Sequence, residues 1–127
     1  MMPNRTRASA VAEFRQATGK GTIVETPGEI TLVFKCIEEE YAEFLEAAKY
    51  HVLYGTVETR ANLCKEWADL QYVVSQAAVF FDIPADASFN RVHESNMTKV
   101  VDGKIIFRED GKILKPDTYV APDMRGL

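Results

Sequence analysis

Glu40 and Glu43 stand three residues apart, and so do Glu66 and Asp69. Residues at that spacing share one face of a helix. The apolar residues around each pair recur by threes and fours, so each pair belongs to an amphipathic helix. Two such helices side by side would gather four carboxylates in one cleft. Like charges held that close disfavour one another's ionised form, and a divalent cation relieves them. Mg²⁺ prefers oxygen ligands and usually shares its sites with phosphate groups, so it is the natural occupant, with Mn²⁺ as its substitute. The chemistry indicated is metal-assisted attack on the phosphate chain of a nucleotide. For one isolated pair, a solvated Glu-rich face is the plainer explanation. That explanation weakens here because the spacing recurs on a second helix, both pairs border an apolar stripe, and residues 38–46 contain no basic side chain.

The elements that must position these groups are helices. A first helix is predicted over Ala8–Ala17, with Val11 and Phe14 on its apolar face and Gly19 available to end it. Lys20 to Glu25 reads as a loop with β character in Thr22-Ile23-Val24. Thr26, Pro27 and Glu29 supply an N-cap, a first-turn proline and the far end of a capping box. The second helix then runs to about Tyr50 with Val33, Ile37, Tyr41, Phe44 and Ala48 as its core face. After a break at His51–Gly55, a third helix is expected from about Glu58 to Phe81, its core stripe Leu63, Trp67, Leu70, Val74, Ala77 and Phe81. Ile83-Pro84 stops it. A fourth helix, capped by Asp86 or Ser88, is expected over roughly Ala87–Val100. Short alternating runs around Glu109-Asp110-Gly111 signal a β-hairpin, and the tail from Lys115 reads as extended. The fold class is therefore all-α: a four-helix-bundle-like single domain over 1–127, its helical part about 5–101, with a C-terminal hairpin and tail.

The 127 residues carry a net charge of −4, which argues against nucleic acid as the main partner. Three or four helices of these lengths leave apolar faces uncovered in a monomer, so a homo-oligomer is expected. Cys36 and Cys64 lack any CxxC spacing and fall within apolar helical patterns, which suggests buried thiols in a reducing compartment. Residues 1–14 include Arg5 and Arg7 but no apolar core of a signal peptide, and no run is long enough to span a membrane. The expectation is a cytoplasmic protein with no membrane partner, in the host cytoplasm if phage-encoded.

Glu40-x-x-Glu43, twenty-two intervening residues and Glu66-x-x-Asp69 resemble the ExxE…ExxD signature of the all-α nucleoside triphosphate pyrophosphohydrolases. That superfamily includes MazG, dimeric dUTPases and phosphoribosyl-ATP pyrophosphohydrolase. The resemblance extends to Val11-Ala12-Glu13-Phe14, the Glu39-Glu40 doublet, Asp69-Leu70-x-Tyr72-Val73-Val74, Val92-His93-x-Ser95-Asn96-Met97-x-Lys99, Asp110-Gly111-Lys112 and Lys115-Pro116-x-x-Tyr119. It therefore covers nearly the whole chain, as a single-domain member of the MazG-like, phosphoribosyl-ATP-pyrophosphohydrolase-like type. The resemblance implies a dimer or tetramer with active sites at subunit boundaries. It also implies Mg²⁺ held by Glu40, Glu43, Glu66 and Asp69, and hydrolysis of a (deoxy)nucleoside triphosphate, such as dGTP or another purine, to the monophosphate and pyrophosphate. Phosphoribosyl-ATP is the alternative substrate, and a catalytically silent nucleotide-binding or assembly module is the alternative of a different class.

Further candidates carry their own alternatives. Glu43 is favoured as general base. Glu39 is a helper in catalysis or a solvated neighbour. By position alone Asn96 caps a helix end and Lys99 complements a helix dipole; the resemblance instead assigns Lys99 to a phosphate and Asn96 to the sugar or base. His93, one turn before Asn96, faces the nucleotide or is structural. Tyr72 and Gln76, one and two turns past Asp69, are candidates to touch the sugar or base.

Overall fold

The computed structural model describes residues 5–20 and 26–127, so the loop expected at 21–25 lies outside the described residues. Four helices run in order: α1 (Arg7–Ala17), α2 (Pro27–Tyr54), α3 (Val57–Phe80) and α4 (Ala85–Met97). The chain divides into two compact units, Met1–Asp82 and Ile83–Leu127.

In the first unit α2 and α3 form an antiparallel hairpin. Gly55 caps α2 in the left-handed conformation at φ 59°, its N–H bonded to the His51 carbonyl. The helix thus continues through the segment where a break is expected and stops only where glycine permits a left-handed residue. Thr56 then starts α3 at once through a reciprocal capping box: its hydroxyl accepts from the Thr59 N–H, and the Thr59 hydroxyl accepts from the Thr56 N–H. His51 Nδ1 lies 3.0 Å from Thr59 Oγ1 and ties the two helix ends together. At the far end Phe34 of α2 stacks on Phe81, with ring centroids 6.3 Å apart. Thr26 caps α2 by accepting from the Glu29 N–H, while the Glu29 carboxylate reaches Arg15 of α1 at 3.7 Å.

Helix α1 runs alongside α3 in the same direction. Arg7 lies over Trp67, Phe14 meets Tyr72 edge-on, and Arg15 lies over Phe80. Helix α3 is therefore packed on two sides, and the core is not the single stripe that periodicity suggests. The buried positions of α3 are Glu66, Ser75 and Phe80, whereas Trp67 is 48% exposed. On α2 the buried positions are Val33 and Ala47, and Tyr41 is 54% exposed. The expectation of buried thiols is corrected as well: Cys64 is exposed and Cys36 half-buried. The cause is helix length. Helix α1 is eleven residues long and α3 twenty-four, so among the described residues α1 lies along only part of α3.

The second unit contains α4 and the C-terminal segment. Neither Asp86 nor Ser88 caps α4; Pro84 is its N-cap residue and no side chain bonds there. The helix ends at Met97, three residues short of the expected Val100. The chain turns at Glu109-Asp110-Gly111 as expected, but the pairing across that turn is limited to one isolated antiparallel bridge, Phe107–Ile113, with a second, Val101–Lys104, around Asp102-Gly103, and no hairpin ladder forms among the described residues. Gly111 donates to the Arg108 carbonyl within the turn, Arg108 and Leu114 donate to Lys112 and Ile106 across it, and Pro116, which has no N–H, follows within two residues of Leu114. The tail then returns along α4. Arg91 Nη1 donates to the carbonyls of Asp123 and Arg125, both at 2.9 Å, and the buried Ser95 hydroxyl donates to the Val120 carbonyl at 2.7 Å.

Because one guanidinium holds two tail carbonyls, Arg91→Ala should release residues 123–127 without unfolding α4. Hydrogen exchange should rise in the tail by about tenfold or more and stay unchanged over Ala85–Met97.

Candidate functional site

The register of the α2–α3 hairpin builds the site. Counted from Gly55, Glu43 lies twelve residues back and Glu66 eleven residues forward. At 1.5 Å per residue both sit about 17–18 Å from the turn, so an antiparallel pair brings them level. Glu40 is one turn deeper on α2 and points the same way as Glu43. Oxygen atoms of Glu40, Glu43 and Glu66 accordingly lie within 4.8 Å of one another.

These carboxylates differ in environment. Glu66 is buried, at 8% exposure, Glu40 is half-buried and Glu43 is exposed. Oε2 of Glu40 and Oε2 of Glu66 are both buried with no hydrogen-bond partner. A buried, unsatisfied carboxylate oxygen is costly, and two of them in one acidic group are the reverse of what a purely structural cluster requires. The neighbouring Glu40 charge raises the Glu43 carboxyl above its ordinary value, with burial and Glu66 adding to the rise. Converging hard oxygen donors with free lone pairs suit a hard divalent cation, and Glu40, Glu43 and Glu66 could hold one.

Asp69, one turn beyond Glu66, lies outside that group of three. Its Oδ2 is 2.9 Å from Lys65 Nζ, and the same ammonium donates to Glu66 Oε1 at 3.2 Å. Lys65 is absent from the residues that spacing singles out, although its i,i+4 relation to Asp69 is a readable signal. These two carboxylates, Asp69 foremost, raise the pKa of Lys65 well above the ordinary lysine value. Glu39 is exposed on α2 beside the cluster.

Tyr72 is on the other side of α3. It lines a cavity of about 210 Å³ between α1 and α3 together with Arg7, Val11, Trp67, Gln71 and Ser75. Gln76 is half-buried on α3. His93, Asn96 and Lys99 belong to the second unit. His93 is exposed on α4. Asn96 Oδ1 accepts from Lys99 Nζ at 3.1 Å. Lys99 stands just past the end of the helix, its ammonium 5.6 Å from the centre of the Tyr119 ring, which Lys115 also approaches at 5.1 Å.

A helical hairpin that converges carboxylates and leaves buried oxygens unpartnered places this chain among helical proteins whose site could hold a cation. The particular family follows from comparison with known proteins: residues 11–96 match phosphoribosyl-ATP pyrophosphohydrolase. The chain belongs to that family, which lies within the MazG-like all-α nucleoside triphosphate pyrophosphohydrolase superfamily. No curated protein matches the chain. The family's class of reaction is pyrophosphohydrolysis of a nucleotide, hydrolysis of an acid anhydride. Among the described residues, no helix is long and apolar enough to cross a membrane.

The raised pKa of Glu43 has a consequence for the metal-free protein. The folded state keeps the Glu43 proton to higher pH than the unfolded chain, whose value is near 4.5. From this group, stability therefore falls as pH rises through 4.5 and up to the raised folded value. Melts in chelator across pH 4–7 should show this decline, and Glu43→Gln should flatten it and raise the melting temperature at pH 7.

Proposed function

We propose that this protein is a divalent-metal-dependent nucleotide pyrophosphohydrolase that cleaves a (deoxy)nucleoside triphosphate between the α and β phosphates, releasing the monophosphate and pyrophosphate. The observation that carries the reading is the pair of buried, unpartnered oxygens on Glu40 and Glu66 in a chain of this family. Glu40, Glu43 and Glu66 are the ligands of Mg²⁺, which Mn²⁺ can replace, and Asp69 joins them once it leaves Lys65. When bound, the cation supplies neutralisation of the phosphate oxygens and acidification of the attacking water. Glu43 is the proton acceptor. It is the accessible member of the cluster and so the one best placed to take a proton from an attacking water. Glu39 assists beside it. By the family resemblance Lys99 pairs with a phosphate as a point charge, Asn96 contacts the nucleoside, and His93 and Gln76 are contacts for the sugar or base; Tyr72, which packs toward α1, is not among them.

The same site serves phosphoribosyl-ATP, and the family match favours giving that substrate equal standing. A panel of canonical and modified triphosphates plus phosphoribosyl-ATP, read as pyrophosphate release with Mg²⁺, with Mn²⁺ and in excess chelator, tests the proposal. Turnover should require the metal and favour one substrate class. Full activity in chelator would refute the metal role, and nucleotide binding without turnover of any substrate would leave a silent binding module. Glu66→Gln and Asp69→Asn should each reduce turnover by about a hundredfold or more. Both should also diminish the rise in melting temperature that Mg²⁺ gives the wild type.

The active form is a homo-oligomer, a dimer or tetramer, with sites at subunit boundaries. The support is the large apolar side chains that helices α2 and α3 leave bare, including Val52 at 85% exposure and Val57 at 82%. Light scattering at micromolar concentration should give at least twice the monomer mass, and a monomer would refute this part of the proposal.

A further inference from the structure

We propose that Lys65 is an internal counter-cation of the carboxylate cluster: it holds Glu66 and Asp69 while no metal is bound, and it competes with the metal for them. The inference rests on the metal-binding reading above and deepens it. A lone exposed Lys–Asp pair one helical turn apart is ordinary and contributes little. What distinguishes Lys65 is its second partner. Its Nζ spans Asp69 Oδ2 at 2.9 Å and Glu66 Oε1 at 3.2 Å, and Glu66 is the most buried acidic group of the cluster.

The two oxygens of Glu66 therefore meet different surroundings. Oε1 is engaged by the ammonium, while Oε2 is buried without a partner, and Glu66 is one of the group formed with Glu40 and Glu43. Asp69, engaged by the same ammonium, stays outside that group. A cation that draws Asp69 in must take it from Lys65, and a single positive charge beside a doubly charged ion on the same two carboxylates is repelled. Occupancy by the lysine and by the metal is thus mutually exclusive, or nearly so. The lysine side chain is 65% exposed on a flexible four-carbon stem, so it can leave without disturbing the packing of α3. Lys65 is accordingly a positioning residue: it limits repulsion in the empty site, keeps Asp69 oriented at the rim, and sets how tightly the metal is held.

The test is Mn²⁺ binding by titration calorimetry or by the electron spin resonance of free Mn²⁺, at fixed ionic strength, for wild type, Lys65→Met, Lys65→Arg and Arg60→Gln. Arg60 lies on the same helix and its replacement reports the general effect of one lost positive charge. Lys65→Met should tighten Mn²⁺ binding by roughly threefold to tenfold, well beyond Arg60→Gln. It should also lower the metal-free melting temperature and widen the gap between metal-free and metal-loaded melts. Lys65→Arg, which keeps the charge and the reach, should stay close to wild type. Equal shifts for Lys65→Met and Arg60→Gln, no shift for Lys65→Met, or tightening by Lys65→Arg to the level of Lys65→Met would each overturn the proposal while leaving the metal site intact. Failure of the wild type to bind Mn²⁺ would overturn the metal-binding reading itself, and the role of Lys65 with it.

Discussion

Like-charge repulsion among Glu40, Glu43 and Glu66 is the constraint on which the rest of this structure depends. Nothing about carboxylates favours their convergence, so the convergence must be imposed by the packing of α2 on α3. The hairpin does this with two short-range devices at its tip. Gly55 accepts the left-handed turn, and the reciprocal Thr56–Thr59 box restarts the helix without an intervening loop. A longer or looser connection would let the helices slide, and repulsion would then set their register. Phe34 against Phe81 at the opposite end and α1 along the outer side of α3 resist the same sliding.

The repulsion is eased from several directions. Glu43 keeps a proton to higher pH than an isolated glutamate, and Lys65 offers a positive charge to Glu66 and Asp69 from the rim. Two oxygens still remain buried and unpartnered. Stability and chemistry are thus opposed at this point, as is common where a site must be ready for a charged ligand. The class of reaction shared by the family, hydrolysis of a nucleotide's pyrophosphate bond, calls for such a site because the substrate brings further negative charge of its own.

Much of this was legible in the residues. The all-α class, the four helices, the Thr26 cap and the turn at Glu109-Asp110-Gly111 follow from local rules and are present. The convergence of Glu40, Glu43 and Glu66 follows from their spacing together with one glycine. What was not legible is tertiary. Periodicity finds the apolar stripe of a helix but not which stripe a neighbour will cover. The Trp67 stripe of α3 is half exposed, while Ser75 and Glu66 are buried, because α3 has neighbours on two sides, α1 and α2, rather than one. The short bridges around residues 107–113 likewise reflect how few backbone bonds flank the turn, which alternation of residue types does not reveal. Lys65 escaped notice because a lysine beside two acids reads as ordinary surface until one of those acids is seen to be buried.

The equal depth of Glu43 and Glu66 below Gly55 makes the hairpin a ruler with two scales. Each residue added to a helix advances it 1.5 Å and turns it about 100°. A single insertion between Glu43 and Gly55 would therefore shift the acidic pair of α2 only slightly along the axis yet swing it a quarter-turn away from Glu66. Insertion of a whole turn would restore the direction but separate the levels by about 5 Å. Over the segment 43–66 the tolerance for changes of length is thus close to nil in either sense.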